Sequence, residues 1–366
     1  MVTSELSRDK ASDSGNSDAT MLQGQSTTSW RALEKASEIR QKMSKSTKFK
    51  LKVLASIIMF ASLFVFGKVD VKKSVDTILH SNPWILGGTL ALILASVLPM
   101  ARRWQILAGA LGMYRPLGEL IRYYFVGFFF NLFLPSTVGG DVSRCYYLTK
   151  GTKLYKEGFY SVLADRATGV SVLFLCASLG ITLSPGASNL PWQLKWPIYL
   201  GTFGIFCVLP FAPQLCKLVL GERNWITRQF TESSAKLFWE ERKLIPVSLL
   251  WSFFSQAMLV VCHYTVGLAL GLDIPLWYCF VFYPSVAVLG FVTPSFNGIG
   301  IREWAYTYFL MMIGIDKGHA VTYALMWLIL TTMQSLIGGL VYMASHMKPP
   351  PSEMEEPSGI GSEQAS

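Results

Sequence analysis

Long apolar runs separated by short polar connections fill the chain from about residue 51 to 347. Such runs approach the ~20 residues that an α-helix needs to cross the hydrocarbon core of a bilayer. The pattern predicts spans near Leu51–Gly67, Trp84–Ala101, Gly158–Leu183, Trp196–Val219, Leu244–Leu270 and Ala320–Met347. The second ends on Arg102-Arg103-Trp104, which reads as snorkelling cations and an interfacial tryptophan. The mixed stretch Ile106–Arg122 is expected at the interface, and Arg302–Ile315 as a short helix or hairpin arm. Residues 1–46 and 348–366 are polar and expected as disordered tails, the first cytoplasmic, with a short basic helix at Trp30–Lys50 along the membrane surface. Residues 47–347 then form one transmembrane domain.

Two apolar segments do not fit the plain pattern. Leu117–Leu134 runs into Asn131, Pro135, the pair Gly139-Gly140, and then Asp141 and Arg144. Proline breaks the helix and glycine turns the chain, which predicts a re-entrant hairpin with Asp141 as the N-cap of the returning helix. Leu276–Val292 ends in an echo of this order, Pro294-Ser295-x-x-Gly298, followed by Gly300, Arg302 and Glu303. Three spans separate the two breaks, so the second is approached from the opposite face, and the halves form inverted repeats. The fold class is an all-α polytopic bundle with two broken segments. Broken helices at matching places in two halves mark the binding site of a transporter. The plainer alternative is a pair of ordinary loops.

Composition narrows the function. Hydrophobic residues make up 51% of the chain, charged residues 15%, and mean hydropathy is +0.38, which excludes a soluble domain. The formal charge of +9 sits in short connections, notably 217–243, as cytoplasmic loops facing anionic lipid require. It is no nucleic-acid signal. The six cysteines are scattered with no CxxC pair and the four histidines form no ligand spacing, so neither a metal nor another cofactor is expected.

An ionisable residue within a membrane segment costs about 2.5–3.5 kcal/mol or more and is a functional candidate by default. Asp141, Arg144, Asp165, Arg166, Arg302 and Glu303 form that set, with polar Asn131, Gln256, Asn297 and Gln334. One reading is internal pairing that locks helices together. The sharper reading uses free backbone N–H groups after Gly139-Gly140 to hold a phosphate, with Arg144, Arg166 and Arg302 adding charge-assisted bonds. Tyr123, Tyr124 and Phe128–Phe130 would then lie beside acyl or prenyl chains. No Walker A motif is present, so movement of a ligand would be downhill or ion-coupled.

FNLFLPSTVGGDVSR (130–144), Ala164-Asp165-Arg166 and PSFNGIGIREWA (294–305) together resemble the flippase-like family named for the transmembrane region of lysylphosphatidylglycerol synthase. Its first motif falls on Asn131, Pro135, Gly139, Gly140, Asp141 and Arg144, its Asp-Arg pair on Asp165 and Arg166, and its third on Gly298, Gly300, Arg302 and Glu303. Asn297 departs from the small residue usual there. The resemblance implies a multi-pass protein of the cytoplasmic membrane that moves, or helps assemble, a phospholipid or polyprenyl-linked lipid. The expected partners are membrane lipids and an envelope-biosynthesis enzyme, with these residues at the headgroup. No soluble aminoacyltransferase domain follows the last span, so synthesis of lysylphosphatidylglycerol is not expected. The rivals are a membrane glycosyltransferase using Asp141 or Glu303 as general base, which short external loops count against, and a non-catalytic anchor.

Overall fold

The computed structural model describes residues 71–133, 138–183, 191–208, 243–292, 300–345 and 347. Eleven α-helices and no strand occur among them. In chain order they are α1 (Val71–Leu79), α2 (Pro83–Ala95), α3 (Val97–Ala110), α4 (Leu117–Phe133), α5 (Val138–Thr149), α6 (Tyr155–Leu183), α7 (Trp192–Val208), α8 (Leu244–Ala269), α9 (Leu276–Val292), α10 (Ile301–Met312) and α11 (Lys317–Ala344). The tails, the expected first span, the basic helix at 30–50, the basic connection up to residue 242, Pro135, Gly298, Asn297 and Cys216 lie outside the described residues.

Four stretches are long and apolar enough to cross a membrane: Pro83–Ala110, Tyr155–Leu183, Leu244–Ala269 and Lys317–Ala344. At 1.5 Å per residue each exceeds the ~30 Å hydrocarbon thickness. The first consists of α2 and α3, joined at Ser96. Pro99 has no N–H to give the Ala95 carbonyl, and the Ser96 hydroxyl donates to the Ile93 carbonyl at 2.7 Å, so the helix breaks without losing its direction.

This span corrects two expectations. It does not end at Arg102-Arg103-Trp104 but continues to Ala110, and Arg103 and Trp104 are buried rather than interfacial. The stretch 106–122 is likewise no surface segment. It holds the end of α3, a tight turn and the start of α4.

That turn recurs in the second half. Ala110-Leu111-Gly112 and Pro116-Leu117 match Ala269-Leu270-Gly271 and Pro275-Leu276. Gly112 and Gly271 have φ of 84° and 68°. In both turns the residue after glycine donates its N–H back into the helix, Met113 to Ala108 and Leu272 to Gly267, each at 2.9 Å. This is the six-to-one bond of a Schellman cap, and only glycine adopts its left-handed conformation without steric cost. The shift along the chain that carries Gly112 onto Gly271 also carries Trp104 onto His263 and Tyr124 onto Tyr283.

Each half therefore reads as a span, a broken helix, a 12-residue helix and a second span: α2/α3, α4, α5 and α6, then α8, α9, α10 and α11. The halves run in opposite directions. Asn82 N–H donates to the Ala269 carbonyl at 3.1 Å, Thr89 bonds Thr265 at 2.8 Å, and Arg103 bonds Ser252 at 2.9 Å. Advancing along α2/α3 means retreating along α8, so the two spans are antiparallel and the repeats inverted. The packing follows the same relation, with α6 along α9 and α11 along α4.

Alanine at Gly112 or Gly271 should destabilise the protein by about 1–2 kcal/mol, because a Cβ is forced into the left-handed region. Gly87 lies inside α2 with open space around it, so Gly87→Ala should be neutral or stabilising by up to about 1 kcal/mol. Thermal unfolding of the purified variants in detergent checks both directions.

Candidate functional site

Two carboxylates and three guanidinium groups form one chain of alternating charge: Arg103, Asp165, Arg144, Asp141, Arg166. Asp165, on α6, is 1% exposed. Its Oδ1 accepts from Arg103 Nε at 2.7 Å, and its Oδ2 accepts from Arg144 Nη2 at 2.7 Å and from the Tyr124 hydroxyl at 2.5 Å. Arg103 comes from α3, Tyr124 from α4 and Arg144 from α5, so one carboxylate gathers four helices. Arg103 Nη1 reaches a fifth at Ser252 of α8. A buried charge is tolerated only when paired and hydrogen-bonded in this way.

Arg144 carries the chain onward. Its Nη1 lies 3.4 Å from Asp141 Oδ1, and its guanidinium carbon lies 4.2 Å from the Trp104 ring centre and 3.8 Å from that of Tyr124. Two aromatic faces thus replace part of the lost hydration. Asp141 accepts a fork from Arg166, Nε at 2.8 Å and Nη2 at 2.9 Å. The bidentate match fixes both side chains. The Arg166 side chain is 34% exposed, so the network runs from a sealed end at Asp165 to an open end at Arg166.

The α4–α5 hairpin places Asp141 and Arg144. Asn131 Oδ1 accepts from the Gly140 backbone N–H at 2.7 Å, stapling one arm to the other. A Cβ on Gly140 would strike both the Gly127 carbonyl and the Asn131 side chain, so the arms meet this closely only because residue 140 is glycine. The stem of Arg144 then lies across Gly127. Two expectations change here. Helix α5 begins at Val138, so Asp141 stands in its first turn and is not the N-cap. The Gly140 N–H is not free for a phosphate, because Asn131 already occupies it. Gly139 is buried in the same turn.

Arg103, Asp141, Arg144, Arg166, Gln256 and Tyr283 supply the polar wall of a cavity of about 190 Å3 between the halves. At ~30 Å3 of liquid volume per water it could hold about six waters, enough for a phosphate with a small substituent but not for a lipid tail. Gln256 spans the wall, its Oε1 accepting from the Tyr283 hydroxyl at 2.7 Å and its Nε2 facing the Gly169 carbonyl at 3.4 Å. Apolar side chains, among them Phe128 and Leu259, complete the lining.

Tyr124 does not lie beside lipid tails as expected; it is buried within the ion network. Tyr123 is buried too, stacked on Tyr147, and Phe129 and Phe130 pack on Tyr342 of α11. Of this aromatic group, Phe128 and Tyr124 reach the cavity.

The second break contributes differently from the expectation. Arg302 and Glu303 do not line the cavity, so Arg302 does not join Arg144 and Arg166 around one ligand. The Glu303 carboxylate turns back to accept from the Gly300 N–H, capping α10. Arg302 is half-buried beside Gly290. Where the first half has Trp104, the second has His263. Its Nδ1 faces the Leu259 carbonyl at 2.8 Å and must carry the proton, and its Nε2 accepts from the Tyr306 hydroxyl at 2.8 Å. Trp327 and Tyr283 enclose the ring, with centroids 3.7 and 4.3 Å away. No group of three or more residues suited to hold a metal occurs among the described residues.

Arg103, Ser252 and Tyr283 are site residues that sequence reasoning missed, and Tyr124 was placed beside lipid tails instead of in the ion network. An arginine followed by tryptophan within one apolar run was the available signal for Arg103, and the matched Tyr124 and Tyr283 were the signal for the tyrosines.

Removal of Asp165 should be the costliest single change in the network. Asp165→Ala leaves two buried guanidinium groups without their common partner and should cost about 3–5 kcal/mol. Asp141→Ala should cost less, because Arg166 can turn to water. Comparing the melting temperatures of the two variants in detergent checks the order.

The family described as the lysylphosphatidylglycerol synthase TM region matches residues 49–338. No curated protein and no solved structure matches the chain. The matched range takes in both broken helices, the ion network and most of α11. The chain is a member of the lysylphosphatidylglycerol synthase transmembrane-region family, a membrane protein of flippase-like type.

Proposed function

We propose that this protein translocates an amphipathic phospholipid or polyprenyl-linked lipid across the cytoplasmic membrane, with its N-terminus on the cytoplasmic side. The observation that carries this reading is a cavity with a guanidinium-rich wall, lying between two inverted halves of a membrane bundle. A phosphate headgroup would enter at the open end of the network, where Arg166 reaches solvent, while its tail stays against apolar side chains outside. Inverted halves offer two arrangements of similar packing, one open to each face, and exchange between them would carry the headgroup across. Asn131, Gly139 and Gly140 shape the hairpin, and Asp141, Arg144, Asp165 and Arg166 form the headgroup wall. Gly300, Arg302 and Glu303 would serve the far side of the path, and Pro135 and Gly298 the breaks themselves.

The glycosyltransferase reading draws less support. Asp141 is held in a fork by Arg166 and Glu303 caps α10, so each carboxylate offered as general base is already occupied. A non-catalytic partner of an envelope-biosynthesis enzyme would need these charges only to hold its helices together, not to line a cavity.

Reconstitution of the full chain into liposomes with fluorescent phospholipid or polyprenyl-phosphate probes tests the proposal. The wild-type protein should speed transbilayer movement, and Arg166→Ala should lower the rate at least about tenfold, by losing one charge-assisted contact of ~1.5–3 kcal/mol. No movement of any probe, or an unchanged rate in folded Arg166→Ala protein, would overturn it.

A further inference from the structure

The wall of the cavity is rich in donors and poor in acceptors. Asp165 Oδ1 and Oδ2 and Asp141 Oδ1 and Oδ2 each already accept from a guanidinium group. Asn131 Oδ1 accepts from the Gly140 N–H, and Gln256 Oε1 accepts from the Tyr283 hydroxyl. Every carboxylate and amide oxygen on the wall thus already accepts at least one hydrogen bond. The donors are not exhausted. Each arginine brings five N–H groups, Asn131 and Gln256 each bring an NH2, and Gln256 has only a 3.4 Å contact for it. Arg144 lines the cavity through the rest of its guanidinium, its Nε being buried, with the group stacked on the Trp104 and Tyr124 rings.

Charge points the same way. Three guanidinium groups face two carboxylates, which leaves one excess positive charge on the wall. A phosphate ester supplies the missing acceptors and neutralises that charge. A headgroup that also carries an ammonium would bring three more donors and a like charge, and it would find no uncommitted carboxylate.

We infer that this cavity selects an anionic phosphate ester without an ammonium group, and so rejects headgroups esterified with lysine or another amino acid. The inference rests on the headgroup site proposed above and names the class of ligand it takes. The family's name points to an aminoacylated lipid; the lining of this chain does not suit one.

Equilibrium binding to the purified full-length protein in detergent tests the selection, with calorimetry as readout. The probes are dioctanoyl phosphatidylglycerol, its lysyl ester and glycerol 1-phosphate. Dioctanoyl phosphatidylglycerol should bind at least about tenfold more tightly than its lysyl ester. Gln256→Glu keeps an acceptor for Tyr283 and leaves the ion pairs intact, but it cancels the excess charge and should shrink that preference to about threefold or less. Tighter or equal binding of the lysyl ester, or no binding of either lipid, would overturn the inference, as would an unchanged preference in folded Gln256→Glu protein. Glycerol 1-phosphate bound as tightly as the lipid would uphold the selection for a phosphate anion while removing the support for a lipid cargo.

Discussion

Asp165 is the constraint on which the rest of the first half depends. A carboxylate 1% exposed in a membrane bundle survives only because Arg103, Tyr124 and Arg144 converge on it from three other helices. Those partners come from within one span, the middle of the broken helix and the returning helix. Moving any of these elements by an ångström or two would leave a buried charge unpaired, at a cost of several kcal/mol. The network therefore sets the position of the α4–α5 hairpin as firmly as its apolar contacts do. It also leaves Asp141 and Arg166 at the open end, where charge can be offered to a ligand instead of being fully spent on the fold.

The second half uses the same scaffold for a different lining. Its turn closes on glycine with the same six-to-one hydrogen bond, its broken helix has the same length, and Tyr283 stands where Tyr124 stands. Yet the place of Trp104 is taken by His263, held between Leu259 and Tyr306 and packed by Trp327, Phe282 and Tyr323. The ion pairs of the cavity wall come from the first half, whereas in the second half aromatic side chains close around His263. With the halves antiparallel, these two linings belong to opposite halves of the bundle. An asymmetric conformation of this kind is what alternating access requires of either end state.

Much of this was legible before any coordinates. Proline and glycine inside apolar runs announced both broken helices, because few other residue orders stop a membrane helix so abruptly. Counting the spans between them predicted the inversion, which the hydrogen bonds from Asn82, Thr89 and Arg103 to α8 bear out. What escaped was the pairing. Arg103 and Trp104 look interfacial along the chain, since the same residues serve as snorkelling cation and belt tryptophan; only the partner 62 residues away makes Arg103 a buried ion. Local capping rules favoured Asp141, whereas Asn131 staples the turn from nine positions back. The echo around Arg302 was real in sequence, but Arg302 and Glu303 stand outside the lining of the cavity that Asn131 and Gly140 border.

The claim joining these observations is that a phosphate headgroup occupies the cavity beside the ion network. The most direct test places a single reporter on its wall, by Gln256→Cys in a chain whose six native cysteines have been replaced. The account predicts that dioctanoyl phosphatidylglycerol slows modification of that thiol by a small thiol reagent, in step with its binding. An unchanged rate at saturating lipid would contradict it.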